Sequence, residues 1–324
     1  MNTACRVCRS PSIVAVGTVE YIAGLPCDIF DCHSCGCRWS RHDPSVHALM
    51  HQTAAISYYA DYRALLDASR RCFSAGDREQ LERVLSAVPK YKYVVERLRL
   101  LGPGARVLEW GCSRGYLTAA ALLAGRAALG VDVSADAIAD ARAAFGDHFA
   151  LTNSPRIESQ GPYDAIYHVG LIGCVPDPLG LTRRLLSLLA PGGRLFFNAP
   201  NRDAMFQRGQ LWMDSAPPPE LITLFPEGFW KREFGDVVFV TEAAVPTAPP
   251  ESTVKTLTRW CGPVWRPPLP RVIQPHSAYR WQQPVPGVLW SRFSALAAKV
   301  SAVTGAKLGS WPEEFGLYVE MTGV

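Results

Sequence analysis

The sequence lacks the segments that place a chain in or across a membrane. It has no run of 18 or more apolar residues, and its first residues do not have the charged-then-apolar shape of a signal peptide. The 33 basic and 29 acidic residues leave a formal net charge of +4 and are dispersed without a block of like sign. We also detect no internal repeat. We therefore expect a soluble, cytoplasmic enzyme. The dispersed charge neither demands nor excludes a nucleic-acid partner.

Ten cysteines without a secretion signal indicate a reducing compartment, which favours metal binding over disulfides. Four of them form two Cys-x-x-Cys pairs: Cys5 with Cys8, and Cys32 with Cys35. Zinc prefers four thiolates in tetrahedral geometry, and this paired spacing is typical of structural zinc sites. The alternative is two unrelated thiol pairs or a disulfide clip. We predict a zinc ribbon over residues 1–44, in which Cys27 and Cys37 are spare thiols.

A predicted strand, glycine turn and helix follow one another after residue 105. A short apolar run ends in Glu109, the turn contains Gly111 and Gly115, and a helix is predicted from Tyr116. The glycines let the backbone approach a ligand closely, and the helix offers free amides at its N-terminus. A dinucleotide-binding turn would have a third glycine where this chain has Ser113, and it would not begin with an acid.

A second predicted strand, residues 127–132, ends in Asp132, 21 residues after Gly111. In nucleoside-binding α/β folds an acid at this place accepts hydrogen bonds from the ribose hydroxyls. Residues 163–178 and 188–201 look like a further strand with its loop and a turn into the next strand. This arrangement resembles the class I S-adenosylmethionine-dependent methyltransferases.

The resemblance implies an α/β fold with a seven-stranded Rossmann-like sheet over residues 90–324, preceded by a helical segment at 45–89. The predicted strands lie at 106–109, 127–132, 148–152, 164–169, 194–198, 236–241 and 315–321. An insertion of about residues 243–312 separates the last two strands and is rich in proline and tryptophan. Its helical stretch, 288–303, either packs on the domain or forms a lid, a dimer surface or a membrane-surface helix. The oligomeric state stays open.

The combination of ribbon, tyrosine-bearing helix and methyltransferase core resembles bacterial methyltransferases of sugar, polysaccharide and natural-product pathways. The aromatic helix would be residues 57–62, and residues 217–229 resemble the Pro-Pro-x-His-Leu-x-x-Phe stretch of that family. Two departures are evident. The Glu-His pair after strand four is Gly173-Cys174 here, and the histidine of the later stretch is Glu220. A general base, if one is needed, must therefore differ from that of the relatives.

The resemblance also assigns residues to a cofactor site and an acceptor site. The residues expected to bind S-adenosylmethionine are Glu109, Gly111, Ser113, Gly115, Tyr116, Asp132, Val133 and Asn153. Asn153 is expected to contact the adenine or to cap the following turn. His168, at the end of strand four, and Glu220 are the catalytic candidates, although His168 fits a structural role equally well. Tyr58 and Tyr62 are candidates for an enclosed acceptor pocket.

The function implied is methyl transfer from S-adenosylmethionine by in-line displacement to a small-molecule or sugar-type acceptor, most simply at oxygen. Two alternatives belong to other classes. An RNA methyltransferase would use the ribbon to grip RNA, but the arginines and acids of the ribbon nearly cancel in charge. A catalytically silent scaffold would keep the cofactor motif and lack the base.

Overall fold

The computed structural model describes residues 4–22, 25–52, 61–86, 88–207, 211–212, 216, 218–235, 238–242 and 316–323. Tyr58, the predicted insertion and its helical stretch lie outside the described residues. Tyr62 lies in a described helix, but its side chain is not described.

The elements of the N-terminal part are three strands followed by four helices. They are β1 (Ile13–Ile22), β2 (Leu25–Cys32), β3 (Arg38–Arg41), α1 (Pro44–Gln52), α2 (Asp61–Ser74), α3 (Arg78–Ser86) and α4 (Pro89–Arg99). Pro89 stands at the start of α4, where its missing N–H costs no helical hydrogen bond. The helical segment predicted before residue 90 is thus three separate helices among the described residues.

Strands and helices alternate in the rest of the described chain. The first part contains β4 (Arg106–Trp110), α5 (Tyr116–Leu123), β5 (Ala127–Asp132), α6 (Ala135–Phe145), β6 (Phe149–Leu151), α7 (Arg156–Ser159) and β7 (Tyr163–His168). The second part contains a 3-10 turn (Ile172–Cys174), α8 (Pro178–Ser187), β8 (Leu189–Pro200), α9 (Arg202–Gln207), β9 (Thr223–Leu224), α10 (Phe229–Phe234), β10 (Val238–Glu242) and β11 (Gly316–Thr322).

The described strands form two sheets. The larger sheet has the order β10-β11-β8-β7-β4-β5-β6. Its pairs are parallel from β8 to β6, whereas β11 runs antiparallel to both β8 and β10. This is the mostly parallel α/β sheet that the sequence predicts. Ligands of such sheets bind beyond the carboxyl ends of the parallel strands.

Strand β8 differs from the sequence prediction. The sequence predicts a turn leading into a strand at 194–198, but the strand already begins at Leu189 and includes the Pro-Gly-Gly run at 191–193. Gly192 has a φ of 74°, and the pairing with β7 shifts register between Leu189 and Arg194. The glycine therefore produces an irregularity in a longer strand instead of a separate turn.

The smaller sheet joins the N-terminal ribbon to the segment that follows β8. Strands β1, β2 and β3 are antiparallel neighbours, and β3 pairs further with β9, where Arg38 faces Leu224 and Trp39 faces Thr223. The N-terminal ribbon is thus extended by a strand of the later segment. The sequence did not predict this fourth strand.

The central sheet is covered on both faces, because successive side chains of a strand point to opposite sides. Val107 packs with Val94 and Leu117 of the helices α4 and α5. Leu108 belongs to the opposite cluster, which contains Trp39 of the ribbon. The ribbon is therefore part of the apolar layer that covers this face of the sheet.

Candidate functional site

The glycine turn after β4 is held by the end of the neighbouring strand. The backbone amides of Gly111 and Cys112 both donate to the carbonyl oxygen of Val131, at 2.7 and 2.9 Å. Gly111 and Gly115 have positive φ values of 78° and 83°, and Ser113 has a φ of 48°. A non-glycine residue with positive φ carries backbone strain, and such strain concentrates at functional sites.

Asp132 ties this turn to the end of β5. One carboxylate oxygen accepts a hydrogen bond from the amide of Ser113 at 2.8 Å, and the other accepts from the amide of Ser134 at 2.9 Å. Burial raises the pKa of Asp132, whereas these amides favour its charged form. The side chain remains half-buried, so a ligand beyond the strand ends can reach it.

Glu109 is buried below the turn. Its Oε2 atom accepts hydrogen bonds from the hydroxyl of Thr118 at 2.5 Å and from that of Tyr167 at 3.3 Å. Burial raises the pKa of Glu109 to about 8, although these hydroxyls favour ionisation. The carboxyl group thus anchors the strand end to helix α5. Contact between Glu109 and a cofactor stays a prediction.

Apolar side chains are exposed at the ends of the next two strands. Val133 follows β5 and is 50% exposed, and Leu151 ends β6 and is 37% exposed. Asn153 is exposed nearby, whereas Tyr116 is buried at the start of α5. Exposed aliphatic groups beside a carboxylate provide a surface on which a heterocyclic base can pack.

Gly115 provides a test of the turn itself. A methyl group at this position would lie 2.4 Å from Cε1 of Phe149, and its φ of 83° disfavours any side chain. Phe149 is fully buried and cannot yield easily. We expect Gly115→Ala to lower the free energy of unfolding by about 2–4 kcal/mol, as the sum of overpacking and backbone strain.

Gly104→Ala is the matched control for that substitution. Gly104 has a similar φ of 74°, but no atom lies within 4 Å of the added methyl group. In urea denaturation, Gly104→Ala should lower the free energy of unfolding by the backbone strain alone, about 1 kcal/mol. Equal losses for the two variants would contradict the role assigned to Phe149.

The four predicted cysteines form one cluster, which confirms that part of the sequence analysis. Their sulfur atoms all lie within 4.8 Å of one another. The sulfurs of Cys5 and Cys35 are 3.7 Å apart, and those of Cys8 and Cys32 are 3.6 Å apart. Tetrahedral zinc with bonds of about 2.3 Å places its sulfurs about 3.8 Å apart, so the cluster fits this metal. Cys37 is buried beside the cluster but is not one of the four.

Two arginines of the later segment hold the cluster from outside. Arg202 donates to the carbonyl oxygen of Gly36, and Arg232 donates to that of Cys35 at 2.7 Å. Gly36 also packs closely against Pro226. The ribbon is therefore fixed to the larger domain through the turn that carries two of the cysteines.

Histidines of α1 hold the segment that contains Glu220. The Nδ1 atom of His47 lies 2.6 Å from the carbonyl oxygen of Pro219, and Nε2 of His51 lies 3.1 Å from that of Glu220. Since a carbonyl can only accept, both ring nitrogens donate. The sequence analysis missed these histidines, because their partners are 172 and 169 residues away.

His168 lies in the apolar layer on the ribbon side of the sheet. Its ring is fully buried and stacks on Phe197 at 4.4 Å, and neither ring nitrogen has a hydrogen-bond partner among the described residues. Burial lowers the pKa of His168 to about 3, so the ring is neutral. The side chain has no exposed surface from which to act on an acceptor, and a catalytic role stays a prediction.

Gly173 stands where the resemblance noted in the sequence predicts a glutamate. A methyl group on it would lie 2.4 Å from Leu221, 2.6 Å from Pro200 and 2.9 Å from the carbonyl oxygen of Thr223. A glutamate here would therefore displace the segment that carries β9. The glycine allows that segment to pack directly on the loop after β7. There the amide of Ile222 donates to the carbonyl oxygen of Gly173 at 2.8 Å.

Comparisons with known proteins identify the family of the chain. A family model described as a methyltransferase domain matches residues 78–241, just over half of the chain. The chain belongs to this methyltransferase domain family. The match confirms the methyltransferase domain predicted from the sequence.

No helix in the described ranges is long and apolar enough to cross a membrane.

One similar curated protein is the ubiquinone biosynthesis O-methyltransferase of Xanthomonas campestris pv. campestris (strain B100), which is 34% identical over 122 residues. The match covers 34% of this chain and 48% of that protein. The chain thus spans about half the length of the curated relatives it matches.

Two solved structures show weak similarity. A Haloferax volcanii complex of the Trm112 methyltransferase activator with a methyltransferase has a TM-score of 0.40 and 15% identity, covering 79% of this chain and 97% of the other. A Geobacter sulfurreducens S-adenosylmethionine-dependent methyltransferase with S-adenosylhomocysteine has a TM-score of 0.36 and 16% identity, covering 72% and 91%. Scores of this size carry no argument about function.

Proposed function

We propose that the chain transfers a methyl group from S-adenosylmethionine to a hydroxyl of a small-molecule acceptor. The observation that carries the proposal is the turn after β4, whose Ser113 amide is bound by the acid at the end of β5. The glycine turn and the carboxylate therefore lie together at the carboxyl ends of the parallel strands. Membership of the methyltransferase domain family supports the same reaction.

The residues present fit the cofactor at this edge. The glycines leave room for the methionine part, Asp132 can accept hydrogen bonds from the ribose hydroxyls, and the exposed Val133 and Leu151 can pack on the adenine. Tyr116 and Asn153 stay proposed contacts of the cofactor. When bound, S-adenosylmethionine supplies a methyl group on a sulfonium, which is already an excellent leaving group. The protein therefore has to orient the acceptor and exclude water.

The acceptor class rests on the elements around the strand ends. Helix α1, the loop after β7 and the segment at 218–222 contact one another there. Such enclosure suits a compact molecule, such as a phenol, a sugar or another natural product, more than an RNA strand. We keep Tyr58 and Tyr62 as proposed contacts of the acceptor.

RNA binding has less support. On the ribbon, Arg38 forms an ion pair with Asp31 at 2.7 Å, and Arg41 forms one with Asp28 at 2.5 Å. These cations are neutralised within the ribbon and are not free to contact phosphates. A zinc ion on Cys5, Cys8, Cys32 and Cys35 would serve the fold, because four thiolates leave no open coordination position.

The test is calorimetry with S-adenosylhomocysteine. We expect Asp132→Ala to weaken binding by about 10- to 100-fold, since a charge-assisted hydrogen bond contributes about 1.5–3 kcal/mol. Asp147→Ala is the control. Asp147 is an exposed acid that precedes β6, so it lies at the amino ends of the strands, away from the cofactor turn. Equal affinity of the wild-type protein and the Asp132 variant would remove Asp132 from the ribose site. Failure of the wild type to bind would reject the proposed function.

A further inference from the structure

Residues 218–222 form a wall beside the strand ends that is fixed by several independent hydrogen bonds. His47 and His51 bind two of its carbonyl oxygens. The carbonyl of Ile222 accepts from the amide of Ser40 at 3.0 Å, which links the wall to strand β3. The backbone of Glu220 is thus positioned from both sides.

One oxygen of the Glu220 carboxyl group has no hydrogen-bond donor in the part of the chain that the structure describes. This atom, Oε2, is buried. A buried polar atom normally has a partner, and an exception needs an explanation such as a catalytic role or an absent ligand. Burial raises the pKa of Glu220 to about 8, and the positive charge of Lys90 only partly offsets this. Among the described residues, Lys90 and the Cys174 thiol are the ionisable groups that interact with it electrostatically.

These groups meet at the loop that follows β7. The Nζ atom of Lys90 would lie 3.7 Å from a methyl group on Gly170. The thiol of Cys174 lies 3.6 Å from the carbonyl oxygen of Gly170. Glu220 therefore faces the end of β7, the strand that lies between β8 and β4 in the sheet.

The same loop also contacts the cofactor turn. The side chain of Leu171 packs against Gly111, where an added methyl group would lie 3.1 Å from its Cδ1 atom. One short loop thus separates the glycine turn from the Glu220 carboxyl group. A reacting acceptor would lie beside this loop with its hydroxyl towards Glu220, because in-line geometry places it opposite the sulfonium.

We propose that Glu220 binds the acceptor hydroxyl and takes up its proton during methyl transfer. This inference rests on the proposed function and adds its catalytic base. The acceptor oxygen forms a bond to the methyl carbon as the carbon–sulfur bond breaks. The sulfur keeps that electron pair and becomes a neutral thioether, and the hydroxyl proton moves to the Glu220 carboxylate. Glu220 would thereby replace the histidine that related sequences have at this position.

The test compares the titration of Glu220 in two complexes that differ by one charge. The glutamate carboxyl carbons are labelled with ¹³C, and NMR titrations are recorded with S-adenosylmethionine and with S-adenosylhomocysteine bound. We expect the midpoint of Glu220 to be lower with the sulfonium by about one pH unit, as for a unit charge roughly 10 Å away at an effective dielectric constant of about 20.

Two references make that comparison specific. Glu220→Gln assigns the signal, which is necessary because burial also raises the pKa of Glu109 to about 8. Glu82 is the internal control, since its carboxylate binds Arg78 and Arg99 away from the cofactor turn. Its midpoint should be the same in both complexes. Identical midpoints of Glu220 in the two complexes would overturn the proposal, while cofactor binding itself would leave the proposed function standing.

Methyl transfer supplies the second measurement. Labelled S-adenosylmethionine is offered with catechol and with methyl glucoside as probes. For a methylated probe, Glu220→Gln should lower kcat by about 100-fold or more and remove its rise with pH. Glu220→His should restore part of the rate. A Glu220→Gln enzyme with the wild-type rate and pH profile would also overturn the proposal. The NMR comparison needs no acceptor, so it decides the question for either probe.

Discussion

Replacing Cys32 by serine is expected to release the metal and unfold the ribbon sheet β1–β3. The four sulfurs have the spacing of a tetrahedral zinc site, and Cys32 supplies one of them. Zinc contributes about 10–16 kcal/mol to the folding of small zinc-finger peptides, so loss of a ligand is severe. Elemental analysis should find one zinc per wild-type chain and substantially less in the variant.

Cys27→Ser is the matched control for the Cys32 variant. Cys27 lies on the same strand, β2, and is equally buried, but it is not part of the cluster. Cys37→Ser tests the nearest spare thiol in the same way. Both should keep the metal. Full zinc content in the Cys32 variant, or none in the wild type, would contradict the assignment.

Loss of the metal should also destabilise the wall formed by residues 218–222. Strand β3 pairs with β9, and the wall at 218–222 leads directly into β9. Hydrogen exchange of the Cys32 variant should therefore rise at residues 218–225. It should change little at β4 and β5, which pair only within the larger sheet. S-adenosylhomocysteine binding should accordingly persist.

The central strands could be predicted from sequence because they are buried on both faces. Strands β4, β5 and β7 begin and end within about one residue of the predicted positions, since short apolar runs bounded by glycine or an acid give a strong signal. The Cys-x-x-Cys spacing likewise predicted the cluster, because each pair already brings two sulfurs together.

The contacts between distant segments could not be predicted in this way. Strand β9 has two residues, too few for any periodicity. His47 and His51 donate to backbone carbonyls. Every residue has a backbone carbonyl, so the sequence does not reveal which one a histidine binds. His168 ends a strand, but which face it points to depends on register. The observed alternation places Tyr167 beside Glu109 and His168 against Phe197.

Two buried histidines should make the protein lose stability as the pH falls below about 6.5. Burial lowers the pKa of His168 to about 3 and that of His47 to about 4, and both rings are neutral when folded. His51 and Arg6 further disfavour a positive charge on His47. In the unfolded chain each ring takes up a proton near its usual pKa of about 6.5. The unfolded state therefore binds more protons, and stability is lost towards the folded pKa values.

Each histidine should lower the free energy of unfolding by up to about 1.4 kcal/mol per pH unit in this window, or about 3 kcal/mol at pH 4.5. Urea denaturation from pH 7.5 to 4.5 measures the slope. His168→Phe should remove the share of His168 and also raise stability at neutral pH, because a phenyl ring can stack on Phe197 without burying two unpaired nitrogens. A His168→Phe protein with the wild-type slope would show that the His168 ring is protonated, or solvated, in the folded state.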